Sequence, residues 1–226
     1  MRKILVFLGL CGGFTLNAQA QLYVIAGINK TEITMSPTLV STQLSGGYAW
    51  QAGISAEFPI EEKGFLYTGL LYETKKTNRK YAECCYSSSD ETYHPHYISL
   101  PVGGGIRLPV GKLVQLQFSG GTYISFAAGG NVDGVGATGD IIAPKPVYYN
   151  RRINFGGAAS DDMTQWNWGL QLRYAIKWNK FELQLSYNHG ISNLVPDKRY
   201  ASNGYLTEKY RSANLNFAYR LLTFNK

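Results

Sequence analysis

His189 and Ser192 stand close in sequence, and a serine hydroxyl beside an imidazole base is the minimum for acyl transfer, with the histidine taking the proton as the oxygen attacks. No acid that would orient the histidine and no oxyanion donor can be assigned to them, so a polar loop start is the favoured reading. Cys84, Cys85, His94 and His96 supply two thiolates and two imidazoles, the donor types of a zinc site. Adjacent cysteines lack the usual C-x₂₋₄-C spacing, and an oxidised vicinal pair Cys84–Cys85 fits an exported chain better. Asn131, Asp133 and Asp140 offer oxygen ligands for calcium but lack the EF-hand spacing and its closing glutamate. Gly134-Val135-Gly136-Ala137-Thr138-Gly139 matches G-x-G-x-x-G. A dinucleotide site needs a strand before that string and a helix after it, whereas Pro144 and Pro146 follow here, so a flexible loop is expected. No catalytic residue, cofactor or metal is assigned on these grounds.

The remaining charged candidates are Glu57, Glu73, Arg107, Arg173, Lys177, Glu182 and Arg220, and all seven fall on the polar side of alternating stretches. The clearest such stretch is Trp168–Trp178. Trp168, Leu170, Leu172, Tyr174, Ile176 and Trp178 share one face, while Asn167, Gly169, Gln171, Arg173 and Lys177 share the other. Period-two alternation sends these sets to opposite sides of a strand. A soluble sheet would bury the apolar set, yet no long helix is available to cover it. A barrel in lipid inverts the arrangement, apolar residues outward and polar residues in the lumen.

Eight stretches behave in this way: Leu22–Asn29, Tyr48–Phe58, Phe65–Lys75, His96–Leu108, Leu113–Ala128, Trp168–Trp178, the run from Phe181 through Asn188, and Arg211–Phe224. They are joined alternately by long and short connections. Pro59–Gly64, Pro109–Lys112 and Asn179-Lys180 are the short turns. The long connections run through Ser45-Gly46-Gly47 and over Lys76–His96, Gly129–Gln165 and His189–Tyr210. The even strand count and the lengths predict an all-β fold: an eight-stranded antiparallel up-and-down transmembrane β-barrel with short periplasmic turns and long extracellular loops. Trp50, Phe58, Trp168, Trp178, Tyr187 and Tyr219 lie near strand ends, as interfacial girdles require. Pro101 interrupts the fourth stretch and predicts a bulge there. An eight-stranded barrel has little lumen beyond its own side chains, so the inward charges are expected to form a plugging ion-pair network rather than a pore.

Residues 1–20 read as a signal peptide: basic Arg2 and Lys3, apolar Ile4 to Leu10, and Ala18-Gln19-Ala20 as the cleavage site. The barrel domain is then 21–226. The formal charge is +7, and removing Arg2 and Lys3 leaves +5. No basic stripe or motif supports nucleic-acid binding. The charge suits lumen and loop residues near anionic lipid headgroups.

The segment Tyr97–Gly111, YISLPVGGGIRLPVG, resembles the aromatic-hydrophobic-proline strand of the outer-membrane β-barrel family often called porin-like or PorT-like. Gly69-Leu70-Leu71-Tyr72, Tyr187-Asn188-His189-Gly190-Ile191-Ser192-Asn193 and the closing strand fit the same pattern. The resemblance covers essentially the whole chain after the signal. It implies an eight-stranded barrel and no defined activity. The paired cysteines and the glycine-rich long connection depart from the pattern. The expected protein is therefore non-enzymatic, sits in the bacterial outer membrane among its lipids, and displays loops to an extracellular ligand or envelope protein. A narrow porin and a lipid-modifying outer-membrane hydrolase are the alternatives; for the latter, such deacylases carry His-x-Ser where this chain has His-x-x-Ser.

Overall fold

The alternation of Trp168–Trp178 is kept in space: every inward residue is buried, and the outward ones between them are exposed or, at Tyr174, half-exposed. The computed structural model of the protein describes residues 20–36, 42–60, 62–82, 88–138, 145–196 and 206–224. Ten strands occupy them: β1 (Ala20–Ser36), β2 (Thr42–Ile60), β3 (Gly64–Thr74), β4 (Thr77–Ala82), β5 (Ser88–Val110), β6 (Val114–Thr138), β7 (Lys145–Arg152), β8 (Trp166–Trp178), β9 (Phe181–Gly190) and β10 (Thr207–Phe224).

All strand pairings are antiparallel, and they close on themselves. β1 joins β10 from Ala20↔Phe224 to Ser36↔Thr207, and the ring runs on through β2, β3, β5, β6, β8 and β9. β4 holds the same ring position as β3, because β2 and β5 flank both. Between β3 and β4 the Lys75 amide donates to Pro95 and the Gly47 amide to the Lys76 carbonyl, 2.9 Å each. β7 takes the edge of β6 beyond Asn131 that β8 takes up to Phe126. The eight positions of the ring are those expected of an eight-stranded up-and-down barrel. Closure removes the free sheet edges that a bilayer would not tolerate.

The turns at one end are short. Asn179 turns the chain between β8 and β9 with φ 55°, a conformation asparagine tolerates better than most residues. At the other end the structure departs from the expectation of long loops. Lys76–His96 is mostly a hairpin of β4 and β5, and the part of Gly129–Gln165 through Arg152 carries the end of β6 and all of β7. The glycine-rich string is likewise not a flexible loop through Gly136: it is paired strand, with the Tyr149 ring lying where a side chain at Gly134 would stand.

The physical reason is a reversal of polarity along single strands. In β1, Val24 and Ile28 face outward, then Lys30 and Glu32 do, and Ile33 is buried inside. In β6, Ile124 is outward and Val132 is fully buried. Below the reversal the barrel wall is apolar outside; above it the wall is polar outside and encloses Ile33, Tyr93, Tyr97, Ala127, Val132, Ile153, Met163, Leu194 and Tyr210 as an apolar core. A test for outward apolar residues stops where the sign changes.

The bulge expected at Pro101 is not there. The β5–β6 register runs unbroken past Pro101↔Tyr123, and its irregularity lies at His96/Tyr97. The missing amide shows instead on the β3 side, where Cα pairing lapses between Thr68↔Val102 and Leu71↔Ser99.

Candidate functional site

The lumen gathers charged side chains from several strands. Nearest the short turns, the Glu57 carboxylate faces Arg107 at 2.9 Å, Arg173 at 3.1 Å and Lys177 at 3.5 Å, and is 1% exposed. Alternation places them: Glu57 lies on the inward face of β2, Arg107 on β5, Arg173 and Lys177 on β8. Arg173 stacks over the Tyr67 ring at 4.1 Å and Arg107 over Phe65 at 4.7 Å, so aromatic faces share the cationic charge. Lys177 also bonds Gln21 at 2.6 Å and the Tyr23 hydroxyl. Glu182 is buried and accepts from Gln184 at 3.0 Å. Arg220 is half-buried in β10 at the same end, its amide donating to the Lys180 carbonyl at 2.8 Å.

A carboxamide tier follows. Gln51 donates to Asn216 at 2.6 Å, Gln171 to Asn188 at 2.9 Å, Asn214 to Ser186 at 3.0 Å, and Tyr67 crosses to Gln171 at 3.1 Å. Gly103 permits that crossing, since a Cβ there would meet the Tyr67 ring at 2.7 Å. A cavity of about 30 Å³ is left at this level, enough for about two waters. Above it Glu73 accepts from Lys75 at 2.9 Å and from Ser99, with Lys75 5.3 Å from the Tyr210 ring centre.

The apolar core then closes the far end, with a further buried pair, Arg79–Glu208 at 2.5 Å. Segment 153–165 contributes Ile153 and Met163 to it. Asp162 accepts two bonds from Arg151, at 2.6 and 3.0 Å, and one from the Asn154 amide at 2.9 Å. That bonding raises the Arg151 pKa, against partial burial that lowers it. The Thr164 amide donates to Leu194, and the Leu194 amide to Glu208, at 2.8 Å each. Arg79, Glu208, Arg151 and Asp162 were not foreseen around the lumen, because their segments read as loop, and Lys75 was missed although it closes the stretch Phe65–Lys75. The signal was nonetheless present: Glu73, Lys75, Thr77 and Arg79 continue one parity, and all four are buried.

The other sequence candidates do not assemble. Ser192 donates to Asn167 at 2.8 Å and accepts from the Trp168 amide at 3.0 Å. His189 lies on the outward face with Tyr187, ring centres 6.5 Å apart. No hydrogen bond joins His189 to Ser192 among the described residues. His94 contacts Asp133 at 3.4 Å, and His96 stacks on Tyr72. Burial pulls the His94 pKa below its ordinary value despite that carboxylate. Asp133 accepts from Asn150 at 2.5 Å. Among the described residues no metal-binding cluster of histidine, cysteine and carboxylate is present; Cys84, Cys85 and Asp140, like the expected signal through residue 19, lie outside them.

Outside the wall, Trp50, Trp168, Trp178, Tyr187 and Tyr219 are all exposed, and Phe58 is half-exposed on the same face. Trp50 packs on Tyr72 at one level, and Phe181 on Trp178 and Tyr219 at the other. Ten residues separate Trp168 from Trp178, about 34 Å of strand, or about 26 Å along the membrane normal at a tilt near 40°. That is the height of the lipid-facing band in barrels of this kind.

No curated protein matches the chain. Among solved structures it is similar to Ail, the attachment invasion locus protein of Yersinia pestis, at 13% identity over 90% of this chain and 99% of that one, TM-score 0.41. Neisserial surface protein A is similar at 14% identity over 89% and 97%, TM-score 0.41. OprG from Pseudomonas aeruginosa is similar at 9% identity over 90% and 97%, TM-score 0.41. The sequence itself matches a family described as outer membrane protein beta-barrel domain over residues 7–195, and with that match and a closed, lipid-faced ring the chain belongs to this family of bacterial outer-membrane barrels.

Proposed function

We propose that the protein is a non-enzymatic display barrel, with its lumen closed and with the β4–β5 and β6–β7 hairpins presented outside the cell to a ligand or envelope protein. The supporting observation is that the described residues fill the lumen at three successive levels. The Glu57 ion cluster stands at one end, carboxamides in the middle, and the core around Tyr97 and Tyr210 at the other. A conducting pore needs a continuous water path, and the polar cavity lined by Gln51, Gln171 and Asn188 measures only about 30 Å³. The short turns face the periplasm, as barrels of this kind place them, and the polar-walled extension then stands above the outer surface. Ser192, bonded to Asn167 and Trp168, favours this reading over a hydrolase.

Planar-bilayer recording of the refolded mature chain tests it. No discrete conductance steps are expected, and steady single-channel steps would instead support the narrow porin. Glu57→Ala in the same assay removes the central carboxylate and is expected to remain closed, because the apolar cap is untouched.

A further inference from the structure

The outer face of the polar extension carries a groove of about 790 Å³ over β5, β6 and β7, within the size range of small-ligand sites. The register builds it from two rungs. Asp90, Val135 and Tyr148 pair side by side across the three strands, and Thr92, Asp133 and Asn150 form the rung beside them. Directly paired residues share a face, so all six side chains project to one side. Two strand spacings set the walls about 10 Å apart. Asp90 stands at one wall and Tyr148 at the other, with half-buried Val135 as the floor between them.

Tyr148 is 76% exposed, yet the strand that carries it is fixed. Its chain neighbour Tyr149 turns inward, where the ring takes the space beside Gly134 and the hydroxyl donates to Glu91 at 2.5 Å. The polar side chains of the groove are held as well. Asn150 donates to Asp133 at 2.5 Å, Thr92 to Asn78 at 3.1 Å, and Asp90 pairs with Lys80 at 2.9 Å. Side chains ordered in advance lower the entropy cost of binding. Charge is balanced across the groove. Lys80 and, one rung from Asn150, Arg152 offset Asp90 and Asp133, and burial favours the uncharged form of His94 beside Asp133.

We propose that this groove binds a neutral oligosaccharide, with one sugar ring stacked on Tyr148 and its hydroxyls bonded to Asp90, Asp133 and Asn150. A tyrosine face is apolar and electron-rich, and a pyranose offers it a face of C–H groups. The hydroxyls around the same ring both donate and accept, which suits acceptor-only carboxylates beside a carboxamide that does both. With the charge balanced, neither an anionic sugar nor a cationic amine gains from the site. An apolar side chain would find only Val135 and Tyr148 to cover it. The side of the membrane on which the sugar is met rests on the display reading; the binding itself does not.

Saturation-transfer difference NMR tests this on the mature chain in micelles of lauryldimethylamine oxide, a detergent without a sugar headgroup. Maltotetraose, cellotetraose and N-acetylchitotetraose are the probes, with tetragalacturonate and spermidine as charged comparisons. At least one neutral sugar is expected to receive transfer at its ring C–H protons and to titrate to saturation. Tyr148→Ala is expected to weaken that binding about fivefold, Tyr148→Phe to retain it, and Asp133→Ala to weaken it about tenfold. Both positions are exposed, so all three variants should keep the wild-type separation of unboiled and boiled gel bands. No transfer to any neutral sugar, wild-type affinity in Tyr148→Ala, or tighter binding of tetragalacturonate or spermidine would overturn the proposal. If the display reading alone fails, Lys80 stays unlabelled by amine reagents in sealed cells while the isolated chain still binds sugar.

Discussion

Glu57 carries more of the lumen than any other side chain, since Arg107, Arg173 and Lys177 all converge on its carboxylate. Three cations crowd there because strands β2, β5 and β8 present the same level of the wall to one point. Removing one member of a buried ionic set leaves the others uncompensated, at about 3–5 kcal/mol. Glu57→Gln is therefore expected to destabilise the barrel by that amount in urea unfolding from lipid vesicles. Asp90→Asn breaks the Lys80–Asp90 pair, whose side chains are 60% and 49% exposed, and is expected to cost less than about 1 kcal/mol. Equal costs would mean that Glu57 is not buried among its partners. Glu57, Glu73, Arg107, Arg173, Lys177, Glu182 and Arg220 were legible in sequence because each shares the parity of its strand's polar set, whereas Lys75, Arg79 and Glu208 were not. The reach of Tyr67 across to Gln171 was not, because it depends on a glycine one strand away.

At the scale of the strand, one pattern explains both what the sequence revealed and what it hid. From Trp168 to Trp178 the alternation has a single sign and the strand was readable residue by residue. In β5 the sign changes near Tyr97, and Tyr93 and Tyr97 turn inward where Ile98 and Leu100 turn outward. The short polar run beyond the change resembles a loop, since its serines, threonines and charges face water and its few apolar residues face in. Pro101 misled for a related reason: it loses a ladder bond on one side only, which a single-strand view cannot assign to a neighbour. The depth of a residue should govern its tolerance of charge. Leu172 is 66% exposed in the band, where arginine costs about 2–4 kcal/mol. Tyr48 lies beyond Trp50 on the same outward side, 71% exposed, and arginine at such an interface costs about 0–1 kcal/mol. Leu172→Arg is expected to lower folded yield in vesicles while Tyr48→Arg leaves it near wild type, and the reverse order would misplace the band.

For the whole molecule, closure of the ring from β1 to β10 predicts resistance to detergent. The unboiled protein should migrate apart from the boiled protein on a denaturing gel, and coincident bands would argue against a sealed sheet. The hairpins also set what intact cells should show. Arg79 is 3% exposed and paired to Glu208, and β4 is flanked on both sides, so trypsin has no open loop to cut at Arg79 or Lys80. The Lys80 amine is reachable all the same, with its side chain 60% exposed. Lys112 is exposed in the turn at the opposite end. Treating sealed cells with a membrane-impermeant amine reagent and mapping the labelled peptides tests display of the hairpins on the cell surface most directly. Labelling at Lys80 with Lys112 protected until the outer membrane is opened is the predicted result; labelling at Lys112 with Lys80 protected would contradict it.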